Sequence, residues 1–79
     1  MAKHIKQSAL SAQGFDELTD EDIAIIRSYA KNNMSASDTA REMNYSWYSI
    51  NYHLGRVEQK TGYDPRVFYD LVELLRWIR

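Results

Sequence analysis

The sequence predicts a small all-α domain, four helices with a central helix-turn-helix and an amphipathic C-terminal helix. Three observations carry that prediction. Capping and stop residues divide the chain into short segments of helical length. Apolar residues recur at helical spacing, most plainly in Val67, Phe68, Leu71, Leu74, Leu75 and Ile78. No stretch alternates polar with apolar as a half-buried strand does, and no Asn-Gly hairpin pair occurs.

Residues 1–15 show no sustained period and include the small and polar run "QSALSAQG". They are expected to form a flexible arm, leaving 16–79 as the folded domain. Helix 1 is expected over about 20–32. Thr19 is a good N-cap with Asp22 three residues on, and the carboxylates of Asp20, Glu21 and Asp22 suit the positive end of a helix dipole. The acidic cluster from Asp16 to Asp22 is read as capping and solvation. Ile23, Ile26 and Ala30 share a face, with Tyr29 beside them, and Asn32-Asn33 supplies the stop.

Helix 2 is expected over 36–43, capped by Ser35, with Thr39, Ala40 and Met43 on its buried side. Asn44 follows as a residue that tolerates positive φ, and Tyr45 as the plug of the turn. Ser46 caps helix 3, expected over 47–60, and Gly62 closes it. Helix 4 is expected over 65–78, with Asp64 as cap and Pro65 at the first helical position, where a missing N–H costs nothing.

Helices 2 and 3 together have the form of a helix-turn-helix. Ala40 keeps the crossing close, Asn44 turns the chain, and Ile50, Leu54 and Val57 form the inner face of the second helix. At ~100° per residue, Tyr48, Tyr52, Arg56 and Gln59 then point outward, with Gly55 near them. Trp47 and Asn51 flank one side, Ser49 and His53 the other. Trp47 lies only ~60° from the inward direction, so the wheel leaves open whether it edges the core or stands on the outer face.

Met34 to Pro65, "MSASDTAREMNYSWYSINYHLGRVEQKTGYDP", resembles the C-terminal DNA-binding domain of PucR/CdaR-type transcriptional regulators. Ser37, Thr39, Ala40 and Arg41 match the first half of that family's pattern. Ile50, Tyr52, Leu54, Arg56, Val57, Glu58, Thr61 and Gly62 match the second, and Tyr63 to Leu75 looks like the family's last helix. The resemblance covers about residues 19–78, and its spacing is shared with Fis-type helix-turn-helix units. It implies a transcriptional regulator that binds double-stranded DNA through helix 3. The chain departs from the pattern on that helix, losing three basic positions: Ser46-Trp47-Tyr48-Ser49 replaces a His-Arg-Asn-Thr run, and Asn51 and His53 stand where Arg is common. Fewer phosphate contacts are the expected consequence.

The residues expected to meet DNA are Ser46, Trp47, Tyr48, Ser49, Asn51, Tyr52, His53 and Arg56 on helix 3, with Arg41 on helix 2. Asn can pair with adenine edges, and tyrosine rings can touch thymine methyl groups. The alternative is a protein-interaction module that presents Trp47, Tyr48 and Tyr52 as an aromatic patch. Tyr69, Val72 and Trp77 are candidates for a homodimer interface, unless Trp77 folds back onto helix 1.

The chain has 79 residues, Lys and Arg totalling 10 against 11 Asp and Glu, and no cysteine. A disulfide framework and a Cys-based zinc site are excluded, and with only His4 and His53 no metal is expected. No nucleophile stands in a catalytic setting and no glycine-rich phosphate loop occurs, so no enzyme, cofactor or small-molecule ligand is expected. No apolar run reaches the roughly 18 residues of a membrane span, and no signal peptide is evident, so a cytoplasmic location is expected.

Overall fold

The structure, a computed structural model, describes residues 14–78. A helical turn at 14–16 leads into four helices: α1 (Asp20–Lys31), α2 (Ala36–Met43), α3 (Trp47–Thr61) and α4 (Phe68–Trp77). Most of the expected arm, 1–13 with Lys3 and Lys6, lies outside the described residues.

The local signals fold as their chemistry dictates. Thr19 accepts from the Asp22 N–H while the Asp22 carboxylate accepts from the Thr19 N–H, each at 3.0 Å, so two orphan donors of the first turn are satisfied reciprocally. Ser35 and Ser46 cap α2 and α3 through single bonds to the Asp38 and Ser49 N–H groups. Helix α1 ends with Asn33 in the left-handed region, the Met34 N–H reaching the Tyr29 carbonyl at 2.8 Å. Helix α2 ends in the same way. Asn44 takes φ 60°, and the Tyr45 N–H donates to the Ala40 carbonyl at 2.8 Å. That bond sets the angle at which the chain enters α3. Gly62 closes α3 at φ 82°.

The core is one cluster drawn from every helix: Ile25, Ile26 and Tyr29 of α1, Ala40 of α2, Ile50, Leu54 and Val57 of α3, and Leu71 and Leu74 of α4. Helix α1 is the common support, packing on the other three, while α2 packs directly on α3. The inner face of α1 is turned from the expected one. Positions 22, 25, 26 and 29 point inward, so Ile25 is fully buried while Ile23 and Ala30 are half-buried.

Two further expectations give way. Helix α4 starts at Phe68, not Pro65, and Asp64 is not its cap. Asp64 instead accepts from the Arg66 N–H at 3.0 Å and its own N–H donates to Asp70 at 3.0 Å, which makes 64–67 a turn. Rotation of the helix that follows leaves Val67, Phe68 and Leu75 exposed, and only Leu71, Leu74 and Ile78 of the predicted stripe face inward. The end of the expected arm is also docked. Gly14 is buried against the last turn of α3, where an added Cβ would stand 1.7 Å from the Lys60 carbonyl oxygen. Only glycine permits that approach. Phe15 then stacks between Tyr63 and Trp77, with ring centroids 6.1 and 5.6 Å away.

Candidate nucleic-acid interface

The inner residues of α3, Ile50, Leu54 and Val57, are fully buried and hold the helix against α1 and α2. One row of side chains, each four positions from the last, is thereby forced outward: Tyr48, 79% exposed, Tyr52, 59% exposed, and the exposed Arg56. The row is organised before any partner arrives. Arg56 donates from Nη1 to the Tyr52 phenol oxygen at 3.2 Å, and its guanidinium carbon lies 5.8 Å from the Tyr52 ring centroid. Trp47, half-exposed, meets Tyr48 edge to face at 5.2 Å, so it belongs to the outer face and not to the core.

The smaller polar candidates sit beside this row. Ser46 and Ser49 bracket the first turn through the capping bond. Asn51 spends one amide donor on the Trp47 carbonyl at 3.1 Å, which holds its side chain along the helix. On α2, Arg41 is exposed and paired with Asp38 at 2.7 Å, a surface contact of little strength that a phosphate can displace.

His53 departs from the expected outer position. Its side chain is only 18% exposed and lies against α1, with Nδ1 3.4 Å from an Asp22 oxygen and Nε2 3.7 Å from a Glu21 oxygen. The Tyr45 ring covers it at 6.3 Å, and the Tyr45 hydroxyl donates to the Glu21 carboxylate. That bond raises the Tyr45 phenol above its ordinary pKa. Lys60 is drawn inward as well, its ammonium 2.7 Å from Asp22. The carboxylate at the centre of this group is 2% exposed. Asp22 is therefore no mere solvated cap: it ties the start of α1 to the middle and end of α3. Its place was signalled by spacing, because Asp22 precedes Ile25 and Ile26 by three and four residues on the same helix face.

The ion pairs decide what charge is left for a partner. Lys31 pairs with Glu42, Arg41 with Asp38, Lys60 with Asp22, Arg66 with Asp64 and Glu58, and Arg76 with Glu73. Among the described residues, the cations without a carboxylate partner are Arg27 on α1 and Arg56 on the outer face of α3. The face is thus mildly positive through one side chain and otherwise aromatic.

The candidate dimer residues Tyr69, Val72 and Trp77 are all exposed and span a wide arc of α4, with Tyr69 between the other two. Trp77 packs on Phe15, and it lies ~140° around α4 from Val72. The continuous exposed stripe of α4 is Phe68, Val72 and Leu75. No helix among the described residues is long and apolar enough to cross a membrane.

Two helices joined by a left-handed asparagine, the second seated by its inner face with its outer face free, define a helix-turn-helix domain. The chain belongs to the PucR C-terminal helix-turn-helix domain family, whose profile matches residues 23–76, from the first turn of α1 nearly to the end of α4. No curated protein and no solved structure compared with the chain matched it.

Proposed function

We propose that this domain binds double-stranded DNA as part of transcriptional regulation, with α3 entering the major groove. The observation that carries this reading is the outward row of α3 in a domain of this family: Tyr48, Tyr52 and Arg56 are fully presented while every inner residue of the helix is used for packing. Trp47, Ser46, Ser49 and Asn51 flank the row, and Arg41 reaches the backbone from α2. His53 acts from behind, as a link to α1.

Little phosphate neutralisation is available, since Arg56 and the releasable Arg41 are the cations near this face. The counterion relation gives a slope of log affinity against log salt of about −0.9 per phosphate. The expected slope for one copy is therefore no steeper than about −2, shallow for a helix-turn-helix. Fluorescence anisotropy of a labelled duplex over a salt series measures it. No binding to any duplex at low ionic strength overturns the reading.

A second copy supplies the missing affinity. The Phe68–Val72–Leu75 stripe leaves three apolar side chains of α4 in water, and a two-fold pairing through it doubles the cations facing DNA. The competing use of Trp47, Tyr48 and Tyr52, as a surface for another protein, rests on the same exposure and on the small charge of this face.

A further inference from the structure

The chemistry of the α3 row is unusual for a groove reader, and it bears on which bases the helix selects. Along the row there is one cation, Arg56, and two exposed phenol rings, Tyr48 and Tyr52, the second with the Arg56 guanidinium over one face. Besides Arg56, its hydrogen-bond donors are two phenol hydroxyls, each at the tip of a large apolar ring. The major groove offers one apolar group on an unmodified base edge, the C5 methyl of thymine. A phenol ring pressed against that methyl removes apolar surface from water on both sides.

Tyr52 and Arg56 add a second constraint. The Tyr52 oxygen accepts from Arg56 at 3.2 Å, and the guanidinium lies beside the ring. The bond uses one of five guanidinium donors, so a pair of donors remains for the O6 and N7 acceptors of a guanine. Ring and guanidinium are held as neighbours, and they suit neighbouring base pairs. Tyr48 stands one helical step further on, ~6 Å along the axis, or about two base steps at ~3.4 Å each.

We infer that α3 selects its sites by thymine methyl groups, read by the rings of Tyr48 and Tyr52, with a guanine next to one of them taken by Arg56. This rests on the reading that α3 enters the major groove of DNA. The lone cation also fits it: selectivity drawn from methyl contacts survives added salt better than phosphate contacts do.

The test uses duplexes enriched by the protein from a random-sequence pool at low ionic strength. Each enriched duplex is resynthesised with deoxyuridine for thymidine, which removes the C5 methyl and leaves pairing intact. Affinity is expected to fall about fourfold for each methyl contacted, and about tenfold or more when both rings lose theirs. Tyr48→Phe/Tyr52→Phe keeps this discrimination, because the rings remain. Tyr48→Ser/Tyr52→Ser loses it, and both residues are exposed and outside the core cluster. Equal wild-type affinity for the thymine and uracil duplexes overturns the inference while leaving DNA binding in place. Undiminished discrimination by the Ser pair overturns the assignment to these rings. If no duplex is enriched, the inference falls together with the DNA reading.

Discussion

Replacing Asp22 by Ala is expected to destabilise the fold by about 3 kcal/mol, the low end of the cost of breaking a buried ion pair. The low end applies because Lys60 sits in the last turn of α3 and can swing toward water. For a domain of this size the loss corresponds to a drop in melting temperature of about 12–24 °C, read by circular dichroism at neutral pH. Three contacts disappear together: the capping bond with Thr19, the ion pair with Lys60 and the contact with His53. Asp22→Asn keeps the shape and removes the charge, so it separates the ion pair from the cap.

The same residue makes the fold acid-sensitive in a defined direction. Burial by itself raises the Asp22 pKa. The hydrogen bond from Lys60, the bond from the Thr19 N–H and the Lys60 charge outweigh it, and the net shift is downward. A carboxyl held below its unfolded value contributes stability above the unfolded pKa, about 3.9, and loses it as pH falls through the lower folded value. Wild-type stability therefore falls in that acid range, and Asp22→Asn flattens this part of the profile.

Arg56→Glu is expected to weaken duplex binding about a hundredfold at low salt, combining a lost charge-assisted contact with a new repulsion. Stability should change by no more than about 0.5 kcal/mol, since the side chain is exposed and touches only Tyr52. Arg76→Glu provides the comparison. Arg76 is exposed on α4 and already paired with Glu73, and its reversal should leave binding within about twofold. Equal losses for the two variants would point to a diffuse charge effect and away from a defined contact on α3.

The frame was legible in the sequence because short-range chemistry sets it. Thr19 with Asp22, Ser35, Asn44, Ser46 and Gly62 each act within a few residues, and all stand where capping and stop rules place them. The family match over 23–76 follows the same spacing. Long-range relations were harder to read. His53 lies at the margin of the α3 wheel, and only the packing of α1 decides that it turns toward Asp22 and Glu21. Nothing in the sequence near Lys60 shows that its charge is taken by Asp22, 38 residues earlier. Gly14 looked like part of a loose arm because a glycine carries no apolar signal, although its lack of a Cβ is what lets it meet the Lys60 carbonyl. On α4 the apolar residues exceed what one face can bury, and periodicity alone does not say which ones the core takes.

The outer face of α3 was legible in composition but not in electrostatics. Tyr48, Tyr52 and Arg56 could be placed outward from the wheel. That Arg56 is the one cation on this face without a carboxylate partner among the described residues depends on ion pairs formed across the fold.

The most direct measurement is an amide nuclear magnetic resonance titration of the protein with an enriched duplex at low salt. The shifts should be largest along α3 from Ser46 to Arg56 and at Arg41, and small at Phe68, Val72 and Leu75. Shifts confined to the outer stripe of α4, with α3 unchanged, would contradict the assignment of α3 as the DNA-reading helix.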